Sequence, residues 1–209
     1  MRIKITISRL FQILLLVLFV TSNVNAADPA NVPKKKRTTL GLYYTPAEAA
    51  EHMKKSGDRS LFLDVRDPVE VNFTGTPSVS DANVPFKFAD TSKWHMKKKQ
   101  FGMKKNKGFV SDVTARMKAK GLGKSDAIIL MCRSGVRSGK AANLLAKAGY
   151  TNVINMIEGF EGDSISKGPN KGKRTINGWK NSNLAYDTPK SLDIRKMYGS
   201  PAPIKPKKK

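Results

Sequence analysis

At 209 residues the sequence has room for one domain of ordinary size with tails. Its formal net charge of +23 predicts attraction to anionic partners of any kind and says nothing about chemistry. Cys132 is the only cysteine, which excludes an intramolecular disulfide, and with His52 and His95 as the only histidines the sequence offers no metal-ligand set.

Arg2, Lys4 and Arg9 precede the apolar run from Leu10 to Val20, and Val24-Asn25-Ala26 offers small residues at a cleavage position. Residues 1–26 read as a signal peptide cut after Ala26, which sends the mature protein to a periplasm or outside the cell. The alternative, an uncleaved anchor, is disfavoured because the run is short for a span that needs about 20 residues. Residues 27–39 contain Pro33-Lys34-Lys35-Lys36-Arg37 and read as a solvated basic linker. Thr45-Pro46-Ala47-Glu48 has a capping residue, a proline at the first helical position and a glutamate at the third, which predicts a helix from Pro46 to Lys55 ended by Gly57. Ser60 to Val65 reads as a buried strand with Asp64 and Arg66 at its end. Asp64 reads either as a cap on the following turn or as a group facing the crevice at the strand ends.

The segment 93–108 interleaves Trp94 and Phe101 with lysines. That pattern can bind nucleic acid, but in an exported protein it reads as a solvated basic loop whose aromatics dock on the domain, and no nucleic-acid partner is expected. Ser111 to Lys120 reads as a capped helix ended by Gly121, Asp126 to Met131 as a buried strand, Ser138 to Gly149 as a helix, and Asn152 to Met156 as a last strand. Glu158-Gly159-Phe160-Glu161-Gly162 then turns the chain at the same crevice. The lysine- and glycine-rich residues 163–178 read as an inserted mobile loop, and 187–209 as a basic disordered tail.

Cys132-Arg133-Ser134-Gly135-Val136-Arg137 therefore falls on a turn between a strand and a helix. Free N–H groups of such a turn and the helix dipole form an anion cradle, and together with Arg133 and Arg137 they favour an ionised thiol. Cys132 reads either as a nucleophile in that cradle or as a small apolar residue at the end of a buried strand.

The loop, followed by Ser138, resembles the active-site loop of the rhodanese family. Further stretches resemble the family in the expected order: Leu61 to Glu70, with Asp64-Val65-Arg66; Ala82-Asn83-Val84-Pro85; and Gly149-Tyr150-Thr151-Asn152-Val153 with Glu158-Gly159-Phe160. The resemblance covers residues 40–186 and implies an α/β domain, a parallel β-sheet flanked by α-helices. The chain departs from the family at Gly75 to Ala82, which lacks the histidine of the usual Gly-His-Ile-Pro-Gly-Ala, and at Trp179, which comes late.

The resemblance implies a thiosulfate sulfurtransferase-like enzyme with Cys132 as nucleophile. A small anionic sulfur donor would load Cys132 as a persulfide, and a thiol or protein acceptor would unload it. Residues 133–137 would bind the substrate, with Arg133 holding the donor and Arg137 locking the loop against Asp64 or Glu70. Asp64, Arg66 and Glu70 have supporting roles in this reading. No cofactor is required, and the basic segments invite electrostatic contact with an anionic envelope surface. Two alternatives stand beside it. One takes the Cys132 loop as the Cys-x5-Arg cradle of related phosphatases and arsenate reductases, which have a loop of seven residues from the cysteine against six, with Ser138 the residue in doubt. The other is a non-catalytic sulfur-carrier or binding module of the cell envelope.

Overall fold

The computed structural model describes residues 27–191 and 197–198, so the leader and most of the tail lie outside the described residues. In chain order the main elements are β1 (Tyr43–Tyr44), α1 (Pro46–Ser56), β2 (Ser60–Asp64), α2 (Pro68–Thr74), β3 (Thr76–Pro77), β4 (Ala82–Asn83), β5 (Lys87–His95), β6 (Gln100–Lys105), α3 (Phe109–Ala119), β7 (Ala127–Met131), α4 (Val136–Lys147), β8 (Val153–Met156) and β9 (Tyr186–Asp187).

Apolar runs without polar alternation belong in strands covered on both faces. Every residue of β2, β7 and β8 is buried, and these strands form the middle of a parallel five-stranded sheet ordered β1-β8-β7-β2-β4. Successive side chains point to opposite faces and build two cores. Leu61, Leu63, Ile128 and Leu130 pack with Phe109 and Val113 of α3 and Leu145 of α4. Phe62, Ile129 and Met131 pack on the other face with Ala49 and Met53 of α1, Phe160 and Trp179. The register Asp64↔Met131 brings the C-terminal ends of β2 and β7 level, so the residues after them open into one crevice.

The cap signal before α1 forms as expected: Glu48 N–H donates to Thr45 Oγ1 and Thr45 N–H to Glu48 Oε2. Asp67-Pro68-Val69-Glu70 carries the same signal. Asp67 Oδ1 accepts from Val69 N–H, Glu70 Oε2 accepts from Asp67 N–H, and α2 follows where the sequence reading had only a turn.

Three further expectations are corrected. The basic stretch is not a loop but an antiparallel hairpin, β5 with β6, and its aromatics pair with each other instead of docking. Trp94 and Phe101 meet edge to face at 5.3 Å while staying half exposed, a cross-strand contact that supports a ribbon with little core of its own. Residues 27–39 are not a solvated linker throughout. Val32 and Lys36 are buried, and Lys36 Nζ pairs with Asp163 at 2.7 Å, which offsets the cost of burying the ammonium. At the other end Asp187 is in β9, antiparallel to β3, and Met197 is buried with its carbonyl accepting from Arg116 at 3.2 Å, so these tail residues are ordered by contact.

Residues 163–178 hold no helix or strand. Two hydrogen bonds of 2.9 Å between Ile165 and the Gly172-Lys173 turn close the excursion, and Asp163 N–H donates to Asn177 Oδ1 at its base. Trp179 then returns to the core, its indole N–H on Ala185 O at 2.9 Å.

Candidate active site

β7 delivers Cys132 to the crevice, and the chain turns through Gly135 into α4, which begins at Val136, two residues earlier than the sequence reading placed it. Gly135 has φ +86°, and a Cβ there would lie 2.1 Å from Ile157 O. Gly159, with φ +68°, comes so close that its Cβ would lie 2.4 Å from Ser134 N. The 158–162 turn thus presses on the loop, and only glycine fits at either contact.

The turn also orients the peptide groups. Phe160 N–H donates to Cys132 O at 2.8 Å, and the N–H groups of Glu161 and Gly162 donate to Arg133 O at 3.0 and 3.2 Å. The first N–H after Cys132 to reach a backbone acceptor is that of Gly139, on Gly135 O at 3.2 Å. Carbonyls held on one side and the unused N–H groups of the loop and first helical turn on the other produce an anion cradle.

Cys132 is nearly enclosed, with 1% of its surface exposed. It lines the base of a cavity of about 620 Å³ together with Arg133, Ser134, Val136 and Arg137. Glu70 and Phe73 of α2 form one wall and Phe101 and Met103 of the hairpin another.

Arg137 donates two hydrogen bonds to Glu70, of 2.5 and 2.6 Å, so the partner anticipated as Asp64 or Glu70 is Glu70. Burial works against both charges, but the pairing outweighs it. Glu70, with smaller help from Cys132 and Asp64, holds Arg137 above its ordinary range, and Arg137, the Asp67 N–H and Arg66 hold the Glu70 carboxyl below its own.

Asp64 and Arg66 are wholly buried, and Asp64 pairs with Arg66. Asp64 Oδ1 accepts from the Arg66 N–H and Nε, while the guanidinium also donates to Thr74 Oγ1 and Gly75 O, and Asn83 Nδ2 binds the carbonyls of both residues. Neither side chain lines the cavity. Their route to the loop is indirect: Arg66 stacks 4.4 Å from the Phe160 ring centroid, and Phe160 N–H holds Cys132 O.

Arg133 is half exposed and makes a two-pronged pair with Glu161 at 3.1 and 3.2 Å. A donor held by Arg133 would share it with, or displace, Glu161. Arg174, from the insertion, is a third cation beside the loop that the sequence reading missed. Burial and then repulsion from Arg133 push its guanidinium below the ordinary value, against the pull of Glu161 and Asp163. Ser138 and Asn155 were missed as well: Ser138 Oγ lies 3.3 Å from Cys132 Sγ and 2.6 Å from Asn155 Oδ1. A hydroxyl six residues after a cysteine on a helix start was a readable signal for Ser138, whereas Asn155 sits in an apolar strand with none.

The Cys-x5-Arg alternative is overturned by the loop itself. Only four residues separate Cys132 from Arg137, and the place that cradle reserves for arginine holds Ser138, which faces the sulfur from inside α4.

Comparison with known proteins agrees with this geometry. The Rhodanese-like domain model matches residues 45–164. Thiosulfate sulfurtransferase 16, chloroplastic, of Arabidopsis thaliana is 34% identical over 134 residues, covering 64% of this chain and 89% of that protein. An uncharacterized protein of Rickettsia conorii is 31% identical over 137 residues, covering 66% and 90%. The crystal structure of Rv0390 from M. tuberculosis has a TM-score of 0.51 at 26% identity, covering 69% of this chain and 98% of that one. With more than half its length inside the family model, and with the strand–loop–helix cradle around Cys132 that the sequence anticipates, the chain belongs to the rhodanese-like domain family.

Proposed function

We propose that the protein is a sulfurtransferase working through a persulfide on Cys132. The Cys132 thiolate attacks the outer sulfur of an anionic donor such as thiosulfate; the sulfur–sulfur bond of the donor breaks and its electron pair leaves with sulfite. A thiophilic acceptor, cyanide in an assay or a thiol or protein in the cell, attacks the outer sulfur of the persulfide and returns Cys132 to the thiolate, a double displacement with a covalent intermediate. The N–H groups of the 133–137 loop receive the negative sulfur, as an oxyanion hole receives oxygen. The observation that carries this reading is the placement of Cys132 at the base of an open cavity, inside a loop whose Cys132 and Arg133 carbonyls are tied away from it by the 160–162 backbone.

In this proposal Arg133 contacts the donor and the Arg137–Glu70 pair keeps the loop in shape. Residues 1–26 direct the chain out of the cytoplasm, and the basic segments meet anionic surfaces of the envelope. Mass spectrometry after incubation with thiosulfate tests the covalent step. A gain of one sulfur atom, removed by cyanide and absent from Cys132→Ser, is expected. The absence of any gain from thiosulfate and from organic persulfides would overturn the proposal.

A further inference from the structure

Behind the cradle, Cys132, Ser138 and Asn155 form a buried chain of polar groups in which each side chain is 1% exposed or less. The Asn155 amide is oriented by two carbonyls. Its Nδ2 donates to Lys36 O at 2.9 Å and to Gly135 O at 3.1 Å, and the reversed amide would set oxygen against both. Oδ1 must therefore face Ser138 Oγ, 2.6 Å away, and accept its proton. Ser138 has one proton and two neighbours that can take it, Asn155 Oδ1 and, at 3.3 Å, Cys132 Sγ.

The two states of the sulfur use that proton differently. A thiol donates its own hydrogen to Ser138 Oγ, the hydroxyl donates to Asn155, and every group is satisfied. A thiolate has nothing to donate, so the hydroxyl either turns to the sulfur and strands Asn155 Oδ1 without a donor, or stays with Asn155 and leaves the anion without that bond. A buried oxygen stripped of its donor is costly.

We infer that Asn155 and the N-terminal segment holding it act as a brake that keeps resting Cys132 protonated, through the hydroxyl of Ser138. Lys36 lies before the region matched by the family model, and it is seated by its ion pair with Asp163 and by contact with α4, where a Cβ on Gly139 would lie 2.9 Å from Lys36 O. The basic segment ahead of the domain is in this way built into the support of the reactive sulfur. Asn155 and Lys36 are positioning residues; of the three, it is Ser138 that touches the reacting atom.

The proposal rests on Cys132 being the reactive thiol, and alkylation by iodoacetamide reads that thiol without any sulfur donor, so its outcome is separate from that of the persulfide test. The pH profile of the alkylation rate is measured on the full chain. Below the midpoint, Ser138→Ala should slow alkylation about tenfold and move the midpoint up, because the anion loses a hydrogen bond worth more to a charge than to a neutral thiol. Asn155→Ala should act in the opposite sense, speeding it about fivefold and moving the midpoint down. The double variant should lie close to Ser138→Ala alone, since the contact of Asn155 with the sulfur runs through that hydroxyl and its other bonds go to the Lys36 and Gly135 carbonyls. Lys36→Met should move the midpoint in the direction of Asn155→Ala by a smaller amount, and not at all in the Ser138→Ala background. Opposite signs with this non-additivity support the proposal; shifts of one sign, additive shifts, or an Asn155→Ala profile like the parent's overturn it. Should Asn155→Ala fail to fold, Lys36→Met decides: an unmoved midpoint in a folded protein that has lost the ion pair overturns the inference.

Discussion

Glu70 and Arg137 show how a charge pair can hold a loop at little net cost. Each is partly shielded, the Arg137 side chain 16% exposed and that of Glu70 28%, and each has the other as its strongest counter-charge. Glu70→Gln would leave the guanidinium without that charge, and a loss of about 1–3 kcal/mol in unfolding free energy is expected, below the full cost of a buried pair because water reaches both ends. Urea unfolding of the variant measures it. The pH dependence follows from the direction of the Glu70 shift. Its folded carboxyl titrates below the ordinary 4.5, so the stabilisation is complete above that value and is lost as pH falls through the lower folded value. The parent should lose more stability than Glu70→Gln on acidification below pH 4.5, as paired urea titrations would register.

Arg133 stands apart from that lock, because Glu161 competes with any incoming anion for its guanidinium. Arg133→Ala is expected to raise KM for thiosulfate several-fold with a smaller fall in kcat, and Glu161→Gln to lower KM, since it frees the arginine. Steady-state kinetics with cyanide as acceptor separate the two. Equal falls in kcat and kcat/KM for Arg133→Ala would instead place its contribution in the transition state.

At the scale of elements, the loop exists in this form because the 158–162 turn lies against it. Gly159→Ala would force a Cβ into a left-handed backbone position and within 2.5 Å of main-chain atoms of Cys132, Arg133 and Ser134. A destabilisation above about 2 kcal/mol is expected, with loss of persulfide formation exceeding what the unfolded fraction explains. Thermal unfolding beside the mass-spectrometric assay gives both quantities. Most of the framework was readable at this scale. The Thr45 capping box, the unbroken apolar runs of β2 and β7, and the cysteine on a strand-to-helix turn were local patterns with one physical solution. The capping box at Asp67 and Glu70 is a local pattern of the same kind. The β5–β6 hairpin was hidden for a physical reason: outside a core its strands need no apolar alternation, and its stability comes from cross-strand pairs such as Trp94 with Phe101, which exist only once the register is set.

For the molecule as a whole, the +23 charge acts at a distance that no single pair controls. The rate of reaction with thiosulfate should fall as salt rises, and that with a neutral persulfide should change little, because a field of this sign concentrates anions near the cavity and is screened over about 10 Å at 0.1 M. Stopped-flow measurements across ionic strength compare the two. Local chemistry written along the chain marked the capped helix, the buried strands and a cysteine on a strand-to-helix turn, because caps and apolar runs act over a few residues, and the family resemblance implied the α/β class and the parallel sheet. Partner choice waited for the fold. Arg133 facing Glu161, Arg137 facing Glu70, Arg66 closed upon Asp64, and Lys36 reaching Asn155 behind the sulfur join residues from 2 to 119 positions apart. Which cation meets which acid is decided by the packing of strands and turns, and a sequence with 39 lysines and arginines against 16 acids leaves that choice open until the chain has closed around its core.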